Sequence, residues 1–139
     1  MIASEDIGLA YPLAAVVTRA CVESAKDLGL PEASIPLSHA AVLLATAPKS
    51  NSAHIAYEAA LQDVQAGLGV VPPTLLRAPL YKGYRYPHDY EHHYVKQQYL
   101  PNDLRDRHYY TFGENKTEQA ASAYSAMIRE AGGKKKHND

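Results

Sequence analysis

The chain is poor in the features that announce a chemistry. It has one cysteine, Cys21, in 139 residues. That excludes an internal disulfide framework and a cysteine-based zinc site, and it suits a reducing cytosol. Charge of either sign is not in excess: the formal net charge is −1, so no whole-chain field draws it to nucleic acid or membrane. No apolar run approaches the roughly 20 residues that span a bilayer. The N-terminus lacks the basic and apolar regions of a signal peptide. There is no internal repeat of solenoid period and no convincing alternation of period two. Glycine is absent between Gly29 and Gly67, and Gly-x-Ser-x-Gly and His-Glu-x-x-His do not occur. A phosphate-cradling loop, a nucleophile elbow and a helical zinc motif are therefore missing.

What is present is helical. A length of 139 residues fits one domain with a real core. Residues 1–66 are rich in Ala, Leu and Val, residues 70–112 in Pro and Tyr, and residues 117–131 return to an Ala-rich pattern. The expected organisation is one helical domain over 1–131, with an irregular insert at about 70–112 and a polar, frayed tail over 132–139. A first helix is predicted from about Pro12 to Leu28, with Gly29 as its stop. A second starts near Pro36 and ends before Pro48. Its centre, Ala40 to Ala45, is apolar all round, which predicts burial on every side, with help from a neighbouring subunit. A third is capped by Ser50 or Asn51 and stops at Gly67, with Ala53, Ala56, Tyr57, Ala60, Leu61 and Val64 on one face. A fourth follows Asn115, with Glu118 in capping-box position. The fold class is all-α: a small helical bundle with a long irregular tyrosine- and proline-rich segment. Val42, Leu43, Leu44, Tyr57 and Leu61 are the candidates for the core or an oligomer interface.

Each candidate chemistry has a plainer rival. Lys49-Ser50 resembles the end of a phosphate loop, but without glycines it reads as a helix–helix turn. His88, Asp89, His92 and His93 are ligand types, and His88 and His92 would share a face on a helix. Pro87 argues instead for irregular backbone, in which His88 and Asp89 hydrogen-bond within the tyrosine-rich loop, fixing it against the helices, while His92 and His93 face solvent. No metal and no cofactor is assigned to the chain. A small metal-dependent enzyme is the most distant reading. Eight tyrosines fall between Tyr81 and Tyr110, interleaved with Lys82, Arg85, Lys96, Arg105 and Arg107. Rings beside cations can grip a single strand, and Arg85, Tyr86, His88, Tyr90 and Lys96 are the candidates for DNA or partner contact. However, Asp89, Glu91, Asp103 and Asp106 nearly cancel that charge, so the favoured reading is amphipathic filler. Glu5, Asp6, Glu58 and Asp63 read as solvated helix faces.

Four short runs carry a resemblance: Ala3-Ser4-Glu5-Asp6-Ile7-Gly8, Ala47-Pro48-Lys49-Ser50-Asn51, Tyr86-Pro87-His88-Asp89-Tyr90 and Gln97-Gln98-Tyr99-Leu100-Pro101. Together and in this order they resemble the C-terminal region of the RarA/MgsA family of AAA+ ATPases, whose eukaryotic members are the Werner helicase-interacting ATPases. The resemblance covers about residues 1 to 112. It implies a collar-like oligomerisation domain, as in clamp loaders, that assembles a homotetramer. It implies a longer parent whose upstream module binds ATP and Mg and works as a DNA-dependent ATPase at stalled forks, with DNA and single-strand binding protein as partners. The expected location is cytoplasmic, at the nucleoid in a bacterium, with no membrane contact. No catalytic residue carries over, and the chain itself is expected not to be an enzyme. Two positions depart from the family: Tyr11 stands where Asp is usual, and Lys82-Gly83-Tyr84 run together where similar proteins carry a glycine-rich stretch. The runner-up function is a single-stranded nucleic-acid-binding module built on the tyrosine-rich segment.

Overall fold

Four α-helices organise the computed structural model, which describes residues 1–79 and 81–135. They are α1 (Ala14–Leu28), α2 (Ser34–Thr46), α3 (Ser52–Gln65) and α4 (Lys116–Ala131). Single helical turns precede α1 and punctuate the segment between α3 and α4. No strand occurs among the described residues, only an isolated antiparallel bridge between Tyr90 and Lys135. The fold is all-α.

Local chemistry sets the helix ends. Gly29, at φ 70°, closes α1 and donates its N–H to the Ala25 carbonyl at 3.1 Å. Helix α2 starts two residues before the predicted Pro36, which costs nothing, because the N–H groups of a first turn have no partner within the helix anyway. It ends at Ala47, whose extended backbone (ψ 145°) is what the following Pro48 demands. At the head of α4, the Asn115 side-chain oxygen accepts the Glu118 N–H at 3.0 Å.

The chain separates into two compact units. Unit 1 comprises Met1–Tyr57 and Tyr110–Ala120; unit 2 comprises Glu58–Tyr109 and the chain from Ala121 onward. In unit 1, α1 packs on α2, and Ile7, Ala14 and Ala47 form a small core covered by Ala3, Tyr11 and Leu44. Complete burial of Ile7 contributes about 2–3 kcal/mol. In unit 2 the fully buried apolar side chains are few, chiefly Val95 and Leu104, and polar ties take a larger share.

Three expectations are corrected here. The centre of α2 is not buried on every side within the chain: Val42 is 62% exposed, while Leu43 and Leu44 are half-buried. On α3 the larger side chains of the predicted face are turned outward. Tyr57, Leu61 and Val64 are exposed, and the helix instead buries Asp63 and half-buries Ala56, Ala59 and Ala60. An Ala-rich helix lets a neighbour approach closely, and a carboxylate with good donors can take that position ahead of larger apolar groups. Finally, the start of the tail is not frayed. The Lys134 carbonyl accepts the Glu91 N–H at 3.0 Å, beside the Tyr90–Lys135 bridge. Lys136 to Asp139 lie outside the described residues.

Candidate functional site

The quoted motifs meet in two places. In unit 1 the Asp6-Ile7-Gly8 turn lies against the Pro48-Lys49-Ser50 junction. The Ser50 N–H donates to the Asp6 carbonyl at 2.8 Å. Gly8 sits at φ 48°, and a Cβ there would come within 3.1 Å of the Ser50 carbonyl oxygen, so this position needs glycine twice over. Lys49 is exposed, but its ammonium is committed to the end of α2. Its Nζ donates to the carbonyls of Leu44 (2.9 Å), Ala45 (3.3 Å) and Ala47, which fills all three donors and caps the negative end of α2.

Ser50 also reaches the most enclosed charge in unit 1. The Glu118 side chain is 0% exposed. Its carboxylate accepts the Tyr110 hydroxyl and the Asn115 side-chain amide, both in short contacts, together with the Ser50 hydroxyl and the Gly113 N–H. Burial alone would push this carboxyl up. The four donors outweigh burial and hold it below its ordinary value. Tyr110 responds in the opposite sense: burial, then the bond to Glu118 and its negative charge, push the phenol up to about 12. The capping box predicted at Glu118 is present, but its return bond goes to the Asn115 side chain rather than to its backbone.

Unit 2 has its own enclosed carboxylate. Asp63 accepts Arg107 Nη2 at 2.8 Å and the Tyr109 hydroxyl at 2.9 Å. Burial, followed by the hydrogen bond to Asp63, raises the Tyr109 phenol. Asp63 is therefore not part of a solvated face. The signal that could have marked it is its spacing, four residues or three, from the small residues Ala59 and Ala60.

The residues proposed for DNA or partner contact are only partly brought together. Arg85 turns its guanidinium onto the Lys96 carbonyl. The Gln97 side chain bonds both backbone groups of Arg85, accepting its N–H at 3.0 Å and donating to its carbonyl at 2.7 Å, as a neighbouring strand would. This explains the glutamine of the Gln-Gln-Tyr-Leu-Pro run. The rings of Tyr86 and His88 lie 5.0 Å apart, and those of His88 and His93 lie 4.8 Å apart. Tyr90 is half-buried, and Lys96 is exposed. His88 and His92 do not share a helix face, because they lie in two separate single turns, and His92 and His93 adopt left-handed backbone (φ 54° and 53°) inside the second. Asp89, expected to bond within the loop, is exposed. Tyr81, Tyr84, Tyr86 and Tyr99 are exposed too, so filler describes only half of the tyrosines in the segment. At Lys82-Gly83 the chain closes in four residues: the Tyr84 N–H reaches the Tyr81 carbonyl at 3.0 Å, with Gly83 at φ 82°.

No described helix is long and apolar enough to cross a membrane. Residues 1–129 match the family model described as MgsA AAA+ ATPase C terminal. Replication-associated recombination protein A of Bacillus subtilis is 45% identical over 120 residues, which cover 79% of this chain and 28% of that protein. An uncharacterized AAA domain-containing protein of Mycobacterium tuberculosis is 42% identical over 119 residues, covering 79% of this chain and 26% of that protein. Replication-associated recombination protein A of Escherichia coli is 35% identical over 119 residues, covering 78% of this chain and 27% of that protein. The chain thus spans about a quarter of the length of these relatives. With its motif residues accounted for and the match running over nearly its whole length, the chain belongs to the MgsA family of AAA+ ATPases and corresponds to their C-terminal region.

Proposed function

We propose that this chain is the oligomerisation and scaffold domain of an AAA+ ATPase that acts in replication-associated recombination and DNA repair at stalled forks. The observation that carries the reading is the outward apolar surface of α2. Ile35, Leu37 and Val42 are exposed on a helix that is apolar nearly all round. Exposed apolar surface of that kind marks a protein interface, and the partner we propose is a second copy of the chain, assembling towards a homotetramer. In this reading ATP and Mg bind in a module outside the chain, which contributes no catalytic residue of its own. DNA and single-strand binding protein are partners of the whole ATPase in the cytoplasm.

Light scattering coupled to size-exclusion chromatography tests the proposal. A multimer is expected for the chain at high micromolar concentration; a particle that stays at 15.2 kDa would sink the idea. Val42→Asp is the clean probe. Its side chain already faces solvent, so the charge should dissociate copies while leaving the monomer folded. Leu44 touches the core of unit 1, so Leu44→Asp should also lower stability, because the charge would be desolvated there.

A further inference from the structure

Two clefts of unit 2 share Gln98 and Arg105 in their walls. One, of about 480 Å³, is lined by the Val71–Leu75 loop, Arg77 and Asp103. The other, of about 410 Å³, is lined by Tyr94, Tyr99, Arg107, His108 and Arg129. Four arginines thus line these two adjoining clefts against a single lining carboxylate. That carboxylate, Asp103, already accepts the Gly69 N–H at 2.9 Å. Arg107 is neutralised by Asp63. Arg77 and Arg105 each commit one donor to a neutral oxygen, of Pro72 (3.0 Å) and Asn102 (3.4 Å). Among the described residues no carboxylate pairs with Arg77, Arg105 or Arg129. Charge that cancels along the sequence is therefore separated by the fold. Of the four acids that balance the tyrosine-rich segment, only Asp103 lines either cleft, while Arg77 and Arg129 are added from outside that segment.

We propose that the two clefts act as one groove that binds a short stretch of single-stranded nucleic acid, with phosphates on Arg77, Arg105 and Arg129 and bases against Tyr94 and Tyr99. Planar side chains decide against an acidic peptide. The groove interleaves its cations with two tyrosines, two glutamines and a histidine, surfaces that stack on bases and that a chain of carboxylates would leave unused. The Tyr99 ring is anchored, because its hydroxyl accepts Gln97 Nε2 at 2.7 Å. The site differs from the surface around Arg85 and Tyr86 suggested by sequence, since the Arg85 guanidinium is committed to the Lys96 carbonyl. None of its lining residues belongs to α2, which carries the proposed oligomer surface.

Fluorescence anisotropy of a labelled twelve-residue oligothymidylate with the intact chain tests this. The wild type should bind at 50 mM salt and weaken as salt rises. Arg105→Glu and Arg129→Glu should each weaken binding about fivefold or more, and should flatten the log–log salt dependence by about 0.7 for each phosphate no longer neutralised. Arg85→Ala should stay within about twofold of wild type. Unchanged melting temperature and particle mass in both charge reversals would show that fold and assembly are intact. Absence of binding by the wild type would overturn the proposal, and so would charge-reversal variants that bind like it. Loss on Arg85→Ala but not on Arg105→Glu would also overturn it and return the site to the sequence-predicted surface. Displacement of the oligonucleotide by polyglutamate but not by unlabelled single strand would overturn it in favour of an acidic peptide.

Discussion

Replacing Glu118 with Gln tests the chemistry at the centre of unit 1. The change keeps the side-chain volume, so no cavity forms, but it removes the charge and one acceptor oxygen. Four donors converge on the native carboxylate, from Tyr110, Asn115, Ser50 and Gly113. An amide must turn its NH2 towards at least one of them. A hydrogen bond to a charged group contributes about 1.5–3 kcal/mol, and an unsatisfied buried donor costs about 1–3 kcal/mol. A loss of about 2–4 kcal/mol is expected at pH 7. At about 4 °C per kcal/mol for a chain of this size, the melting temperature should fall by about 8–16 °C. The pH profile gives a second, independent reading. The Glu118 carboxyl lies below its ordinary value in the folded chain, so its contribution is complete above the ordinary carboxylate pKa and disappears as pH falls through the depressed value. The Tyr110 phenol is raised to about 12, so its contribution is complete below pH 10 and disappears between pH 10 and 12. Glu118→Gln should therefore lose part of the acid limb and, with no carboxylate to repel the phenolate, part of the alkaline limb as well. Thermal unfolding followed by circular dichroism from pH 3 to 11, with Tyr110→Phe as the partner variant, reads all of this. A melting temperature within about 2 °C of wild type at pH 7, with both limbs intact, would refute the reasoning.

Two further outcomes follow from the hydrogen-bond geometry. Lys49→Ala uncovers three carbonyls at the end of α2 and should cost about 1 kcal/mol in denaturant unfolding, whereas a lysine free for other work would cost nothing. Asp63→Ala should destabilise by about 1–2 kcal/mol, discounted because Arg107 is half exposed, while Asp89→Ala should stay within about 0.5 kcal/mol; equal effects would contradict the burial pattern.

The helices were legible because their ends are written in single residues. Gly29, Pro48 and Asn115 each impose a backbone state or satisfy a terminal group wherever they stand, so α1, α2 and α4 begin or end within two residues of expectation. The family was legible for a related reason. Gly8 lets two backbones approach, the Gln97 side chain bonds both backbone groups of Arg85, and the Ser50 hydroxyl reaches Glu118, roles that few other residues fill. What stayed hidden depends on partners far along the chain. Asp63 is buried only because Arg107 and Tyr109 reach it, and nothing within α3 announces them. On α3 it is Asp63, with these partners, that is buried and Ala56 and Ala60 that are half-buried, while the larger Tyr57, Leu61 and Val64 stay exposed. The gathering of arginines at the two clefts was invisible for the same reason, since counting charge along residues 81–110 includes Asp89, Glu91 and Asp106, which line neither cleft, and omits Arg77 and Arg129.

The chain leaves unit 1 after Tyr57 and re-enters it at Tyr110. During synthesis, the N-terminal portion must therefore wait for residues 58–109 to be made before Tyr110, Asn115 and Glu118 exist to complete it. Ser50 and the Ala10 carbonyl, which accepts the Thr117 hydroxyl at 3.1 Å, meet these late partners only once residues 110–118 have been made. Formation of unit 1 is thus a report that translation has passed the start of α4, and a ribosome stalled earlier holds a chain in which no carboxylate yet gathers those donors.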